Sequence, residues 1–235
     1  AVVGMYFLPY VPNEYRFHFN AHNICVIGKD GDDYLVSDPV AVEKVKLSVH
    51  DMMRPRFPKG TYPPMGKLYW IRSLPKKQPD LPKLIRKAIL KNCYRMLHEP
   101  GPVPWVGINA FRHLGNKIPK FPQKYGVRQA ALHLGQLVRM MEEIGTGGAG
   151  FRFLYAAFLQ EAAAITGITA LNDFSERLTA IGDEWRMFAA EAARVCKRRS
   201  AANVDYQTIG DHLKTIGDRE KQFFTDLEKL IKKSR

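Results

Sequence analysis

The hydrophobic pattern changes its period part-way along this chain of 235 residues. Before residue 73 the apolar positions alternate or come in short runs, which is typical of β-strands. After residue 82 they recur at three- and four-residue spacings, which predicts helices. Three prolines within ten residues interrupt both patterns and predict a linker. The predicted fold class is therefore α+β, with a β-rich part over 1–72, a proline-rich linker over 73–82 and an all-α domain over 83–235.

Strands and one short helix are predicted in the β-rich part. The strand candidates cover 2–8, 22–27, 34–37 and 67–72. Gly31 lies in the acidic turn between the second and third candidates, so these two predict a hairpin. Ser48 and Asp51 have the spacing of a helix N-cap and its reciprocal partner. The prolines at 55 and 58 limit the length of the helix that starts there.

Helices account for nearly all of the second part. The apolar spacing places them near 83–98, 105–115, 125–144, 151–166, 170–199 and 205–233. The last of these carries apolar residues at alternating four- and three-residue intervals from Ile209 to Leu230, with one break at Glu220. This spacing predicts a seam that packs against a neighbouring helix.

One histidine and one aspartate of the predicted hairpin are candidates for chemistry. His22 opens the first strand and Asp38 closes the second. If the hairpin register brings them together, they form the base and the orienting acid of a catalytic triad, in which the carboxylate holds the imidazole tautomer that takes a proton from a nucleophile. The alternative is that Asp38 belongs to an ordinary Asp-Pro turn and that His22 is a buried residue at a strand end.

The nucleophile of such a triad is missing from the sequence. Cys25 lies three positions after His22 on the same predicted strand, so it points to the opposite face. Cys93 and Cys196 fall within amphipathic helices, where cysteine usually packs as a small apolar group. No serine stands in a Gly-x-Ser-x-Gly turn. The sequence therefore predicts a base and an orienting acid without their nucleophile.

A glycine-rich segment is the second motif. Gly145, Gly147 and Gly150 match G-x-G-x-x-G, but a predicted helix precedes them instead of a strand, which excludes a dinucleotide site of the Rossmann type. Two interpretations stay open. The segment joins two helices that approach closely, for which glycine is needed, or it binds an anion at the start of the helix from Phe151, with Arg152 in the first turn.

Composition adds charge and compartment to this picture. The net charge is +13, and residues 1–75 carry nine Lys and Arg against seven Asp and Glu, which leaves +11 on residues 76–235. A basic surface attracts anionic partners, and the alternative is an ordinary solvated surface. The three cysteines form no disulfide or zinc pattern and favour a reducing, cytoplasmic compartment. No apolar stretch has the length of a membrane helix.

Metal and nucleic-acid chemistry are not expected. The acidic turn at 30–33 is too compressed for a calcium loop, which would need a glutamate where Ala41 stands. His18 and His22 have the spacing of a helical zinc pair, but their segment is not predicted to be helical. No nucleic-acid-binding motif is present. We therefore expect no metal, no cofactor and no specific nucleic acid as a partner.

The two motifs, in this order, resemble the butirosin biosynthesis protein H family of secondary metabolism. The residues that carry the resemblance lie in the segments 21–28, 37–39 and 145–159. The resemblance implies a papain-like N-terminal domain used for acyl transfer, of which the chain resembles only the later part, followed by a helical domain of unknown function. It also implies that His22 is the base, that Asp38 is its orienting acid, and that a catalytic cysteine lies on a helix before Ala1.

The absence of that cysteine leaves three interpretations open. The chain is a fragment, a separate chain supplies the nucleophile, or the protein is a degenerate, non-catalytic member of the family. The strand-like start favours a fragment. A partial sheet would leave apolar surface bare where the missing half packs, and the candidates for lining that surface are Tyr6, Leu8, Val26 and Val36.

The predicted function is that of a cysteine-dependent acyltransferase, which moves an acyl group from a thioester to a small-molecule amine. The resemblance implies an acidic acyl carrier protein as donor, and the basic second half would steer it. Gly147, Gly148 and Arg152 are the candidate contacts for the phosphate of its phosphopantetheine arm, and Tyr155 would flank the same pocket. The alternatives are a papain-like peptidase or amidohydrolase and a non-catalytic binding module.

Overall fold

The chain divides into two compact units in the computed structural model, one over Ala1–Lys77 and one over Gln78–Arg235. We call them the N-terminal unit and the helical unit. The structure describes residues 1–74, 77–98, 106–143, 146–197 and 204–234. Short strands followed by helices make up this fold, so the α+β prediction is confirmed. Pro75, within the predicted linker, lies outside the described residues.

The N-terminal unit contains two small antiparallel sheets. One pairs β1 with β2, and the other has the order β3-β4-β5. The strands are β1 Val2–Val3, β2 His22–Asn23, β3 Cys25–Asp30, β4 Asp33–Ser37 and β5 Val45–Leu47.

The predicted hairpin is present, but its first strand is broken at Ile24. β2 pairs with β1, where His22 lies opposite Val3. β3 pairs with β4, where Cys25 lies opposite Ser37. Ile24 is buried in the core between the two pairings. The break separates His22 from the hairpin proper and attaches it to the sheet at the start of the chain.

Two of the predicted strands are wrong in whole or in part. The strand expected over 2–8 ends at Val3, and the next N–H, that of Gly4, donates to the carbonyl of Pro55 at 2.7 Å instead of to a strand. A 3-10 turn over Met5–Phe7 follows. The segment over 67–72 forms no strand in the described chain, although the Lys67 carbonyl accepts a hydrogen bond from Val2 N–H at 3.1 Å.

The short helix α1 spans Val49–Arg56, and its predicted cap is confirmed. The Ser48 hydroxyl accepts a hydrogen bond from Asp51 N–H at 3.0 Å, which satisfies a donor that the first helical turn leaves unpaired. The helix packs Met52 onto the core of the unit. That core consists of Val3, Met5, Leu8, Val11, Ile24, Val36, Leu47 and Met52.

Two of the four residues expected to line a bare apolar face are in this core instead. Leu8 and Val36 are fully buried. Tyr6 and Val26 are exposed, at 41% and 37% of their accessible surface. The strand β3 is exposed along its whole length. The N-terminal unit therefore has a closed core and an exposed outer strand.

The described residues of the helical unit contain six α-helices, and each predicted helix is confirmed within a few residues. The predicted helix ends at 105, 144 and 199 lie outside the described residues. They are α2 Leu81–Leu97, α3 Gly107–Lys117, α4 Phe121–Glu142, α5 Arg152–Thr166, α6 Leu171–Cys196 and α7 Tyr206–Lys233. The start of α4 was predicted four residues too late, because the helix is kinked at Gly126, where φ is +74°. Within the described ranges, no helix is both long and apolar enough to cross a membrane.

The long helices α6 and α7 supply most of the core of the helical unit. Trp185 and Phe188 from α6 and Phe223 from α7 are its largest fully buried side chains. The predicted seam of α7 is buried from Ile209 to Leu227, whereas Leu230 is only partly buried and Ile231 is the last buried residue of the helix. Burial of such a stripe supplies most of the stability of an amphipathic helix.

Candidate active site

His22 and Asp38 meet in the N-terminal unit. Nε2 of His22 lies 2.9 Å from Oδ1 and 2.8 Å from Oδ2 of Asp38. The pairing of β2 with β1 fixes His22, and the end of β4 presents Asp38 to it. The contact has hydrogen-bond length, as the triad interpretation requires. The geometry brings the two predicted residues together, and their catalytic role is taken up below as a proposal.

Asp38 is enclosed by donors on both of its oxygens. Its side chain is fully buried. Oδ1 accepts the backbone N–H of Val40 at 2.9 Å, which closes the Asp-Pro turn. Oδ2 accepts the hydroxyl of Tyr10 at 2.6 Å. The turn and the histidine contact are thus both present, so the two interpretations of Asp38 do not exclude each other.

Electrostatics keep this carboxylate ionised. Burial alone would raise the pKa of Asp38, but the hydrogen bonds from His22, Tyr10 and Val40 outweigh it, so the pKa lies below its ordinary value. Burial and the hydrogen bond to the carboxylate raise the pKa of Tyr10 far above its ordinary value. Near neutral pH, Asp38 is therefore an anion and Tyr10 a neutral donor.

The second ring nitrogen of His22 is available for chemistry. Because the carboxylate can only accept, the contact selects the tautomer of a neutral imidazole in which Nε2 carries the proton and Nδ1 has the lone pair. Within the described chain, Nδ1 makes no hydrogen bond, and 11% of the side chain is exposed. A neutral imidazole with one nitrogen fixed by an acid and the other accessible is equipped to take a proton from a thiol or an amine.

Cys25, the thiol of the N-terminal unit, makes no hydrogen bond with His22 among the described residues. Cys25 is exposed on β3, and the other two cysteines belong to the helical unit. Burial, and then the nearby Glu228 carboxylate, raise the pKa of Cys93 to about 12. Burial also raises the pKa of Cys196. A thiol with a raised pKa is a poor nucleophile near neutral pH because little thiolate is present.

The glycine-rich segment joins α4 to α5, and protein groups already occupy its donors. Gly145 lies outside the described residues. The Gly148 N–H donates to the Thr146 hydroxyl at 3.2 Å, and the Ala149 N–H donates to a carboxylate oxygen of Glu142 at 3.2 Å. Every residue from Gly147 to Phe151 has positive φ. The N–H of Ala149 is therefore directed at a carboxylate side chain of the same unit.

Arg152 also has an internal partner. Its guanidinium forms two hydrogen bonds with Glu220, from Nε at 2.7 Å and from Nη2 at 2.9 Å. A third hydrogen bond runs from Nη1 to the carbonyl of Gly150 at 2.7 Å. Glu220 is fully buried and also accepts the indole N–H of Trp185 at 2.6 Å. The expected free arginine for a phosphate is thus a paired, structural one in this conformation.

Tyr155 is partly buried and packs against the core of the helical unit. Its ring stacks on Phe158 at 5.5 Å and on Phe224 at 6.4 Å between centroids. Burial raises the pKa of Tyr155, and the side chain of Asn92 offsets part of that rise. The four residues predicted to bind phosphopantetheine therefore connect and pack the helical unit.

The described residues contain no group of three or more His, Cys, Asp or Glu side chains placed to hold a metal ion.

Tyr10 is the site residue that the sequence did not reveal. It lies in the irregular, aromatic-rich segment between β1 and β2 and contacts a residue 28 positions later. The only signal was a tyrosine in a loop flanked by two prolines, Pro9 and Pro12.

The chain matches two known protein families, one over its start and one over most of the rest. The family described as domain of unknown function DUF4872 matches residues 50–227, about three quarters of the chain, and the chain belongs to this family. The family described as butirosin biosynthesis protein H, N-terminal, matches residues 1–39. No curated protein matches the chain.

These matches agree with the resemblance inferred from the two motifs. The short N-terminal match contains both His22 and Asp38. The longer match contains the glycine-rich loop and the buried Arg152–Glu220 pair. The order of the two families along the chain is the order that the resemblance implied.

Proposed function

We propose that this chain is part of a cysteine-dependent acyltransferase, with His22 as its base and Asp38 as the orienting acid. The observation that supports this proposal is the contact of Nε2 with a buried carboxylate that leaves Nδ1 unbonded within the described residues. The match to butirosin biosynthesis protein H over residues 1–39 supports the same class of enzyme. The nucleophilic cysteine would come from outside these 235 residues.

The proposed reaction has two halves. In the first, Nδ1 of His22 takes the proton of the cysteine thiol, the thiolate attacks the carbonyl of a thioester, and the departing thiolate receives that proton. In the second, an amine attacks the acyl-cysteine, Nδ1 takes a proton from it, and the cysteine leaves as a thiolate that regains the proton. The products are an amide and two free thiols, and Asp38 holds the imidazole in one tautomer throughout.

The donor in this proposal is an acidic acyl carrier protein. Its support is the charge of +11 on residues 76–235, which would draw an acidic partner by long-range attraction. The acceptor is a small-molecule amine, and the site of action is the cytoplasm, where the three free cysteines stay reduced. The glycine-rich loop adds no support to this part, because the N–H groups of Gly148 and Ala149 already donate to Thr146 and Glu142. The Arg152 side chain likewise already donates to Glu220.

The test is acyl transfer by the full-length protein, including any segment that precedes Ala1. An acyl N-acetylcysteamine thioester serves as donor and a primary amine as acceptor. His22→Gln keeps a hydrogen-bond donor near Asp38 but has no basic nitrogen, and Asp38→Asn loses control of the tautomer. Each is expected to lower kcat by roughly 10³- to 10⁴-fold, because members of a triad act as a unit.

The chain provides a matched control in His50. This histidine lies 3.6 Å from Asp51, and its side chain is 98% exposed. His50→Gln is expected to leave kcat unchanged. If His22→Gln is as active as His50→Gln, the catalytic proposal is wrong and the binding-module interpretation takes its place. If water replaces the amine in every variant that turns over, the enzyme is a hydrolase of the same mechanism.

A further inference from the structure

We infer that Tyr10 is a positioning residue, which acts through Asp38 to hold the imidazole of His22 in its working orientation. This inference rests on the proposed function. No family match assigns a role to Tyr10, and no sequence motif contains it. Its hydroxyl makes the shortest of the hydrogen bonds that reach Asp38, at 2.6 Å.

The two oxygens of Asp38 are held by donors from two different segments of the chain, one after Asp38 and one before it. Oδ1 is held by the N–H of Val40, within the turn to which Asp38 belongs. Oδ2 is held by Tyr10, from a loop 28 residues earlier. His22 lies within hydrogen-bond distance of both oxygens. Without the Tyr10 hydroxyl, the N–H of Val40 would be the one remaining contact, apart from His22 itself, that holds the carboxylate against rotation, and Oδ2 would lose a donor inside the protein.

The loop that carries Tyr10 is itself clamped. Arg16 donates from Nε to the carbonyl of Val11 and from Nη2 to the carbonyl of Pro9, each at 2.7 Å. The two carbonyls stand directly before and after Tyr10 in the chain. Leu8 and Val11 are buried in the core. The hydroxyl is therefore presented from a short segment that is anchored on both sides, as a preorganised site requires.

The chemistry of a phenol suits this position. A neutral donor stabilises the carboxylate without adding a charge that would compete with an imidazolium. The raised pKa of Tyr10 means that it stays a donor wherever the reaction runs near neutral pH. A lysine or arginine in its place would form an ion pair with Asp38 and weaken the attraction of Asp38 for a protonated His22.

The test compares Tyr10→Phe with Tyr69→Phe. Phenylalanine keeps the ring and removes only the hydroxyl. Tyr69 is the matched control, because its hydroxyl also donates to a side chain of the N-terminal unit. The acceptor is the side-chain amide oxygen Oδ1 of Asn23, at 2.8 Å. The first readout is the carboxyl ¹³C titration of Asp38 by NMR in the 235-residue chain. We expect Tyr10→Phe to raise the pKa of Asp38, since one cause of its depression is lost, and Tyr69→Phe to leave it unchanged.

The second readout is acyl transfer by the full-length protein. Tyr10→Phe is expected to lower kcat by roughly tenfold to a hundredfold, the size of a hydrogen bond to a charged group, with KM unchanged. Arg16→Met loosens the loop but keeps the hydroxyl, and it is expected to lower kcat less than Tyr10→Phe does. A residue that only stabilised the fold would change the amount of folded protein and neither readout per folded molecule.

The two proposals fail in different ways. If His22→Gln abolishes transfer while Tyr10→Phe changes neither kcat nor the Asp38 titration, the inference about Tyr10 is overturned and the proposed function stands. If His22→Gln leaves transfer intact, the proposed function fails, and the role of Tyr10 in that reaction fails with it.

Discussion

Each unit of this protein buries one carboxylate with an aromatic donor and one basic side chain. In the N-terminal unit, the Asp38 carboxylate is hydrogen-bonded to Tyr10 and to His22. In the helical unit, the Glu220 carboxylate accepts hydrogen bonds from Trp185 and Arg152. Both carboxylates have fully buried side chains. The two clusters are built alike, and the difference between them is the kind of base that each one holds.

That difference separates a group that can do chemistry from one that stabilises the fold. A guanidinium is always charged and can only donate, so Arg152 cannot act as a base. An imidazole titrates near neutral pH and has a second nitrogen. A buried carboxylate is thus no sign of an active site by itself, and its partner decides which role it has.

The largest effect on stability is expected from breaking the helical cluster. Glu220→Gln keeps the size of the side chain and an acceptor for Trp185, but it leaves the charge of Arg152 unpaired in a mostly buried place. We expect a loss of about 3–5 kcal/mol in the free energy of unfolding. The measurement is urea denaturation followed by far-ultraviolet circular dichroism and by tryptophan fluorescence, to which the buried Trp185 contributes.

A double variant tests whether charge is the cause. Glu220→Leu with Arg152→Met removes both charges and keeps apolar volume, and it is expected to recover most of the stability that Glu220→Gln loses. If the double variant is as unstable as the single one, packing and not charge explains the loss. The acyl transfer of each variant per folded molecule should stay at the level of the unaltered protein, in contrast to Asp38→Asn.

A smaller effect, which depends on pH, is expected in the N-terminal cluster. The pKa of Asp38 is lowered in the folded state, so the unfolded chain binds this proton more readily. The contribution of Asp38 to stability is therefore fully present above about pH 4, the ordinary range of an unfolded aspartate, and is lost as the pH falls through the folded pKa.

The comparison of Asp38→Asn with the unaltered chain measures this contribution. The methyl signals of Val36, in the core of the N-terminal unit, report its unfolding in urea. We expect the difference in unfolding free energy between the two proteins to narrow from about pH 6 to about pH 3. A difference that stays constant over this range would mean that Asp38 is not held ionised by its neighbours.

The smallest effect is expected from a third acid–base pair, in the helical unit. Nδ1 of His212 lies 2.8 Å from a carboxylate oxygen of Glu191, as close as His22 to Asp38, but a third of the Glu191 side chain is exposed. Glu191→Gln should therefore change the unfolding free energy by less than about 1 kcal/mol. Acyl transfer should not change. A larger loss of unfolding free energy, measured by the same urea denaturation, would show that the distance between the two groups, and not their exposure to solvent, sets the strength of such pairs in this protein.

Local patterns were sufficient for most of the secondary structure. The six helices and the Ser48 cap follow from apolar spacing and from side chains that act within one turn. The segments over 2–8 and 67–72 were mistaken for strands because strand formation depends on a partner, which the local sequence does not specify. The break at Ile24 could not be predicted for the same reason. It occurs where the pairing changes, since β2 pairs with β1 and β3 pairs with β4.

Only part of the candidate site could be predicted. His22 and Asp38 were found because a hairpin joins their ends, whereas Tyr10 reaches Asp38 through a loop with no periodic pattern. The pairing of Arg152 with Glu220 left one signal in the sequence. Glu220 interrupts an otherwise apolar seam, and a charge on a buried face requires a partner of opposite charge. An arginine in a glycine-rich loop could have been matched to it, instead of to an external phosphate.

The division of the chain has a practical consequence for recombinant production of either part. The family match begins at residue 50, within α1, whereas the N-terminal unit extends to Lys77. Helix α1 belongs to that unit, because Met52 is buried in its core. The match also stops before Ile231, which is fully buried near the end of α7. An expression boundary taken from the family limits would divide one hydrophobic core and shorten the other, while a boundary between Lys77 and Gln78 leaves both whole.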